Sequence, residues 1–238
     1  MSLKDVTAII FDIYGTVVDW RSTIIAEGRA LAERKGIEGV DWEAFTDAWQ
    51  AAYRPSMDQV ISGERPWTTN DVLLRERLDG IVREFAIEGL SEEDLDEFNR
   101  AWHRLEPWPD AIPGLRRMKA KVPIGTFSNG SFYLLVNMAR HAGLPWDFII
   151  SADNFHHYKP DKEIYLGAVE LMGGEAADIM LVAAHNYDLA NAKKHGMKTA
   201  YVCRPAMFGP NQARDLKAED DWDIITDSIE GVAEALGV

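Results

Sequence analysis

The chain is poor in several things at once, and each shortage excludes a class of protein. Cys203 is the single cysteine among 238 residues, so no intramolecular disulfide can form. A reducing compartment is the expectation that follows. No uninterrupted apolar run approaches the ~18 residues of a membrane span, and Met1-Ser2-Leu3-Lys4-Asp5 carries no apolar stretch of the signal-peptide kind. A cytoplasmic protein without a membrane partner is expected. Basic residues are scarce: 25 Lys and Arg stand against 39 Asp and Glu, for a net charge of -14. Nucleic acid selects basic surfaces and is not an expected partner. An anionic substrate would need an anion site built locally, because the long-range field opposes its approach. Repeats and low-complexity segments are also missing. What remains is an ordinary globular composition, 47% hydrophobic and 27% charged.

Short apolar runs and helical patterns alternate in two separated regions. Thr7 to Phe11 reads as a first strand. Further strand-like runs follow only at Val122 to Phe127, Phe148 to Ile150, Ile179 to Ala184, Thr199 to Cys203 and Ile224-Ile225. Helical patterns fill the gaps at Ser131 to His141, Asp161 to Leu171, Tyr187 to His195 and Ser228 to Leu236. That alternation predicts an α/β fold, a Rossmann-like parallel sheet covered on both faces. Between the first strand and the rest the period changes. Trp20 to Lys35, Asp41 to Val60, Thr68 to Phe85 and Ser91 to His103 read as amphipathic helices. Asp41 and Ser91 are candidate N-caps; Gly36 and Gly89 are candidate stops. The expectation is a core domain of residues 1–17 and 106–238, with an all-helical cap domain of residues 18–105 inserted after the first strand. Glu106-Pro107-Trp108-Pro109 would be the return hinge. Ligands of open parallel sheets bind beyond the carboxyl ends of the strands, so the site should lie between cap and core.

The expected strand ends carry polar residues: Asp12 with Gly15-Thr16, then Ser128-Asn129-Gly130-Ser131, then Lys159-Pro160-Asp161, then His185-Asn186 and Asp188. Singly, each has an ordinary reading as a turn residue, a helix cap, a surface lysine or a first-turn acid. Together, on this topology, they make a coherent chemistry. A carboxylate attacks and forms an ester that water cleaves. An ammonium favours its ionised form, loop-to-helix amides and hydroxyls hold an anion, and a second acid, Asp188, serves the hydrolysis.

In this order the four groups resemble the motifs of the haloacid dehalogenase superfamily, along essentially the whole chain, and within it the L-2-haloacid dehalogenases. Tyr14 separates the branches. Phosphatase members carry Asp-x-Asp, the second acid protonating the leaving alkoxide; Asp12-Ile13-Tyr14-Gly15-Thr16 has the dehalogenase form, and a halide needs no proton. The last loop, Ala183 to Asp188, holds a single acid where the phosphatases place two for magnesium. The resemblance implies a short halogenated carboxylate as substrate, no metal, no organic cofactor, and a homodimer. It makes Asp12 the nucleophile, with Thr16 and Lys159 holding it. Ser128, Asn129 and the Ile13 and Tyr14 amides would bind the substrate carboxylate, Tyr165 would lie near the site, and Asp188 would position Lys159 and the hydrolytic water.

Two positions leave the family pattern. His185 stands where an asparagine would help hold water, and is expected to serve ester hydrolysis as a base or water anchor. Trp49 is followed by Gln50 where the family has a halide-receiving arginine; Arg54, one helical turn on, is the candidate replacement. His156 and His157 read as loop residues, Cys203 as a buried strand residue, and Trp67 as a candidate wall of an apolar pocket.

Overall fold

The computed structural model describes residues 5–238. Its centre is a six-stranded, all-parallel sheet of β1 (Ala8–Phe11), β4 (Ile124–Ser128), β5 (Phe148–Ser151), β6 (Ile179–Ala183), β7 (Lys198–Val202) and β8 (Ile224–Thr226), in the order β5-β4-β1-β6-β7-β8. β1 is the middle of that order: the chain builds outward to β5 on one side, then returns to lay β6, β7 and β8 on the other. Its carboxyl end is therefore the point at which the strand order reverses, where such sheets open a crevice for ligands.

Successive side chains of a strand point to opposite faces, and both faces here are buried. Ile9 and Phe11 of β1, with Met180 and Val182 of β6, join one apolar cluster. Ile10, with Ile179, Leu181 and Ala183, joins the other. Helices α6 (Ala111–Lys119), α7 (Phe132–Ala142) and α10 (Ile229–Ala235) bury Leu115, Leu134, Met138 and Val232 on the first face. Helices α8 (Lys162–Met172) and α9 (Asn186–Lys194) bury Ile164, Tyr165, Leu189 and Ala192 on the second. α6 has no counterpart among the helical stretches read from the sequence.

Between β1 and α6 lie α1 (Trp20–Lys35), α2 (Trp42–Ala51), α3 (Tyr53–Ile61), α4 (Asn70–Glu84), α5 (Glu92–Asn99) and a 3-10 turn to Arg104. They are joined to the sheet by a short antiparallel ribbon of β2 (Val18–Asp19) and β3 (Glu106–Pro107). The Asp19 carboxylate caps α1, Asp41 caps α2, and Ser91 with Asp94 forms a capping box on α5. Gly36 ends α1 in the left-handed region at φ 66. Two expectations are corrected. The helix read as Asp41 to Val60 is two helices, because Pro55 has no N–H for the Ala51 carbonyl and its ring crowds that turn. α4 stops at Glu84, ahead of Gly89, with Ala86 turning left-handed at φ 51.

Close packing of α6 on α10 gives a first test. A Cβ on Gly114 would lie 2.6 Å from the backbone carbonyl carbon of Ile229, which no rotamer change can relieve. Gly80, inside α4, meets nothing within 4 Å. Gly114→Ala is expected to cost roughly 1–3 kcal/mol by overpacking, and Gly80→Ala to add about 0.5–1 kcal/mol through helix propensity. Urea denaturation measures both; equal shifts would contradict the packing.

Candidate active site

Asp12 follows β1 directly, its amide donating to the Val182 carbonyl of β6 at 3.0 Å. The turn behind it needs Gly15, at φ 80 and with Met207 Sδ only 2.6 Å from where a Cβ would stand. That turn brings Thr16 back under the carboxylate: its hydroxyl donates to Asp12 Oδ2 at 2.6 Å and accepts from the Ala184 amide at 2.9 Å. On the other side Lys159 Nζ lies 3.2 Å from Asp12 Oδ1 and 2.5 Å from Asp188 Oδ2. The Tyr165 hydroxyl donates to Asp188 Oδ1 at 2.7 Å, and the Lys159 ammonium sits 4.4 Å above the Phe127 ring. Lys159 and Asp188 are 1% and 0% exposed, so this is a buried acid–lysine–acid row.

The charges of the row follow from that burial. Desolvation works against the Lys159 ammonium, yet Asp188 and Asp12 outweigh it and hold its pKa above the ordinary lysine value. Two carboxylates against one ammonium leave a negative charge in excess. Burial, followed by the opposing pull of Lys159 and the push of Asp12, leaves Asp188 raised above the ordinary carboxylate range. The Tyr165 phenol is raised by burial and by Asp188, so it stays a donor.

In front of Asp12 is a cavity of about 440 Å³ between the sheet edge and helices α1–α4. Asp12, Tyr14, Asn129 and His185 line it from the sheet side; Trp20, Gln50, Tyr53, Arg54, Met57, Asn70, Leu74 and Trp102 line it from the helical side. Thr16, Ser128, Lys159, Tyr165 and Asp188 do not; they stand behind Asp12. Asp188 thus has both oxygens engaged away from the cavity. The Ser128 hydroxyl oxygen accepts from the Gly130 amide at 3.1 Å, and Asn129 Oδ1 accepts from the Lys159 amide at 2.8 Å, so this pair shapes the loop that seats Lys159. Among the described residues, neither the Ile13 nor the Tyr14 amide has a protein acceptor. The Tyr14 hydroxyl donates to Asn70 Oδ1 at 3.2 Å, its ring between those of Tyr53 and Trp102, and burial raises its pKa well above the ordinary phenol value.

His185 forms the N-cap of α9. Its Nε2 is 3.1 Å from the Tyr14 carbonyl and 3.6 Å from Asp12 Oδ2; its Nδ1 is 3.3 Å from Asp215 Oδ2. Burial disfavours its charge, but Asp215, then Asp12, raise its pKa above the ordinary histidine value.

Some placements differ from expectation. Trp67 is no wall of this cavity: it stacks on His156 and lies tilted against Tyr158, and the tryptophans that face the cavity are Trp20 and Trp102. Cys203 lies one residue beyond β7, half-buried, because the strand stops at Val202. Arg54 is about half exposed and its Nε donates to Asp58 at 2.7 Å, so its charge is already shared with an acid. His157 pairs with Asp161 at 3.0 Å and, with Glu163, lies off the cavity. Sequence reasoning missed Asp215, Asn70 and Tyr53 as cavity residues. No periodicity or motif marks Asp215, which sits in an irregular stretch. Among the described residues, Asn70 Nδ2, Tyr53 Oη and Trp102 Nε1 are buried on the cavity wall without a partner, a signal that exists only in three dimensions.

A parallel α/β sheet with a buried acid–lysine–acid row at its reversal point, and a cavity in front of the first acid, is a frame that suits a hydrolase. The chain belongs to the haloacid dehalogenase-like hydrolases, whose family model matches residues 6–196. Within that family it is 43% identical to the L-2-haloacid dehalogenase PA0810, over 98% of this chain and 99% of that one, with a TM-score of 0.94. It is 45% identical to the defluorinating L-2-haloacid dehalogenase Rha0230, over 98% and 96%, with a TM-score of 0.95. The (S)-2-haloacid dehalogenase H-109 of Pseudomonas putida is 25% identical over 92% of this chain and 99% of its own length.

Proposed function

We propose that the protein hydrolyses short 2-haloalkanoic acids to 2-hydroxy acids through an ester on Asp12, without a metal. The observation that carries this is Lys159 Nζ, held between Asp12 at 3.2 Å and Asp188 at 2.5 Å, behind a carboxylate that faces a cavity. Lys159 and Thr16 fix Asp12 and balance its charge, and Asp188 and Tyr165 fix Lys159. The Asp12 oxygen attacks C2 of the substrate, and the C2–halogen electron pair leaves with the halide. The Ile13 and Tyr14 amides, with the loop of Ser128 and Asn129, receive the substrate carboxylate. Residues 18–105 act as the cap over a core of residues 1–17 and 106–238. Gln50 and Arg54 lie where the halide departs, and the unpartnered donors of Asn70, Tyr53 and Trp102 offer it neutral hydrogen bonds. Water then attacks the ester carbonyl beside His185.

Tyr14 supports this reading over phosphoryl transfer. Its phenol is engaged with Asn70 and its pKa is raised, so it is no substitute for the acid that protonates an alkoxide. The test is halide release from chloroacetate and 2-chloropropionate with and without EDTA, followed by single turnover in heavy-oxygen water. The expected result is EDTA-insensitive release, with label entering Asp12. Phosphate release that needs magnesium, with no turnover of any haloacid, would replace this reading; label passing straight into product would remove the ester.

A further inference from the structure

Asp215 has no part in the chemistry assigned above, yet it lines the cavity and both of its carboxylate oxygens are engaged. It belongs to the irregular stretch of residues 203–223 between β7 and β8, and its backbone is left-handed at φ 54, a region Asp tolerates better than most residues. Its Oδ1 accepts from the Asn186 amide and from Asn186 Nδ2, both at 2.9 Å. Its carbonyl accepts from the Tyr201 hydroxyl at 2.6 Å. Asn186 also binds the Lys217 carbonyl, the Glu219 amide and the Trp222 indole N–H, so the loop is stapled to the first turn of α9. The other Asp215 oxygen, Oδ2, faces His185 Nδ1 at 3.3 Å.

On the proposed ester mechanism, we propose that Asp215 is the positioning residue of His185. It keeps a proton on Nδ1 and turns Nε2 toward the Asp12 carboxyl group, where water must be deprotonated. The titratable groups facing the ring are Asp12 from the end of β1, Asp215 from the loop and Tyr187 from α9; the Tyr14 carbonyl and the Phe208 ring complete its surroundings. At rest both ring nitrogens face acceptors, an arrangement that favours the imidazolium, and Asp215 and Asp12 raise its pKa against the effect of burial. Esterification removes the Asp12 charge that helps to hold the second proton. The Nε2 proton then passes to solvent, which is the acid equivalent that the overall hydrolysis releases. Nε2 takes a proton from the attacking water as its oxygen bonds to Asp12 Cγ. Collapse breaks the Cγ–O bond to the substrate, and the departing alkoxide takes a proton from the newly formed Asp12 carboxylic acid. Through this cycle Nδ1–H stays with Asp215, the orienting relation a buried acid holds to a catalytic histidine.

Asp215→Asn is expected to slow hydrolysis of the ester about tenfold to a hundredfold, far more than the first-turnover halide burst, so esterified chains accumulate in intact-protein mass spectra. The His185 titration midpoint is expected to fall. Equal loss in burst and hydrolysis, or no loss in hydrolysis, would overturn the assignment. A second measurement needs no variant at position 215: the wild-type ring nitrogens, read by nitrogen-15 NMR and assigned by their loss in His185→Gln, should show Nδ1 protonated across the titration. A neutral ring protonated on Nε2 would overturn the pairing. If wild type releases no halide, the dehalogenase reading fails, while the tautomer still decides whether Asp215 orients His185.

Discussion

Asp12→Asn is expected to lower halide release by on the order of 10⁴-fold or more, the scale on which removal of an essential nucleophile is felt. The geometry makes this substitution clean. An asparagine Oδ1 can still accept from Lys159 Nζ, with its Nδ2 donating to the Thr16 hydroxyl oxygen, and the turn through Gly15 is untouched. The buried row of one ammonium and two carboxylates loses its excess negative charge, so the fold is not asked to hold a new one. Thermal unfolding should therefore move little while turnover disappears. The decisive measurement is an intact-protein mass spectrum taken during turnover: wild type should carry an ester, and the variant none. Halide release near the wild-type rate would mean that water, not Asp12, attacks C2.

Lys159→Met is expected to damage both activity and stability. The methionine fills the space above Phe127 but leaves Asp188 buried, with only the Tyr165 hydroxyl for company and Asp12 nearby. Removing one partner of a buried ion pair costs roughly 3–5 kcal/mol, because the remaining charge has no compensation. The pH dependence has a definite sign. Without the ammonium, burial and Asp12 keep the folded-state pKa of Asp188 above its unfolded value. An acid raised in the folded state is protonated more readily there than in the unfolded chain, so stability should rise as pH falls through the folded value. Urea denaturation near neutrality and again at mildly acid pH measures this. A further Asp188→Asn change should return part of the stability and none of the halide release. Stability equal to wild type at neutral pH would show that the row is not the buried ion pair described.

The central sheet was legible because its physics is local. Apolar runs such as Ala8–Phe11 and Ile179–Ala183 are short, continuous and bounded by polar turns, and at that length strands buried on both faces read that way. Asp12, Thr16, Lys159 and Asp188 were legible as a set because each ends or follows such a run, and parallel strands put those ends at one edge. Less was legible in the helical layer. The break at Ala52 follows from Pro55, yet amphipathic periodicity ran through it. α6 follows two prolines and contains a third, Pro113, which masks a good helix in the sequence.

The sequence alone thus determined the α/β frame, the helical layer after the first strand, and the order of the polar groups along the sheet edge, since hydrophobic period and strand-end chemistry are properties of consecutive residues. Tertiary structure decided what those groups face. It placed Asp188 behind the cavity, with both oxygens occupied, and His185 in front of it. It set Arg54 against Asp58, left Asn70, Tyr53 and Trp102 with unspent donors, and brought Asp215 to His185 across 30 residues of chain. A side chain's partners depend on distances between elements that meet only after the chain has folded, and residue spacing carries no record of them.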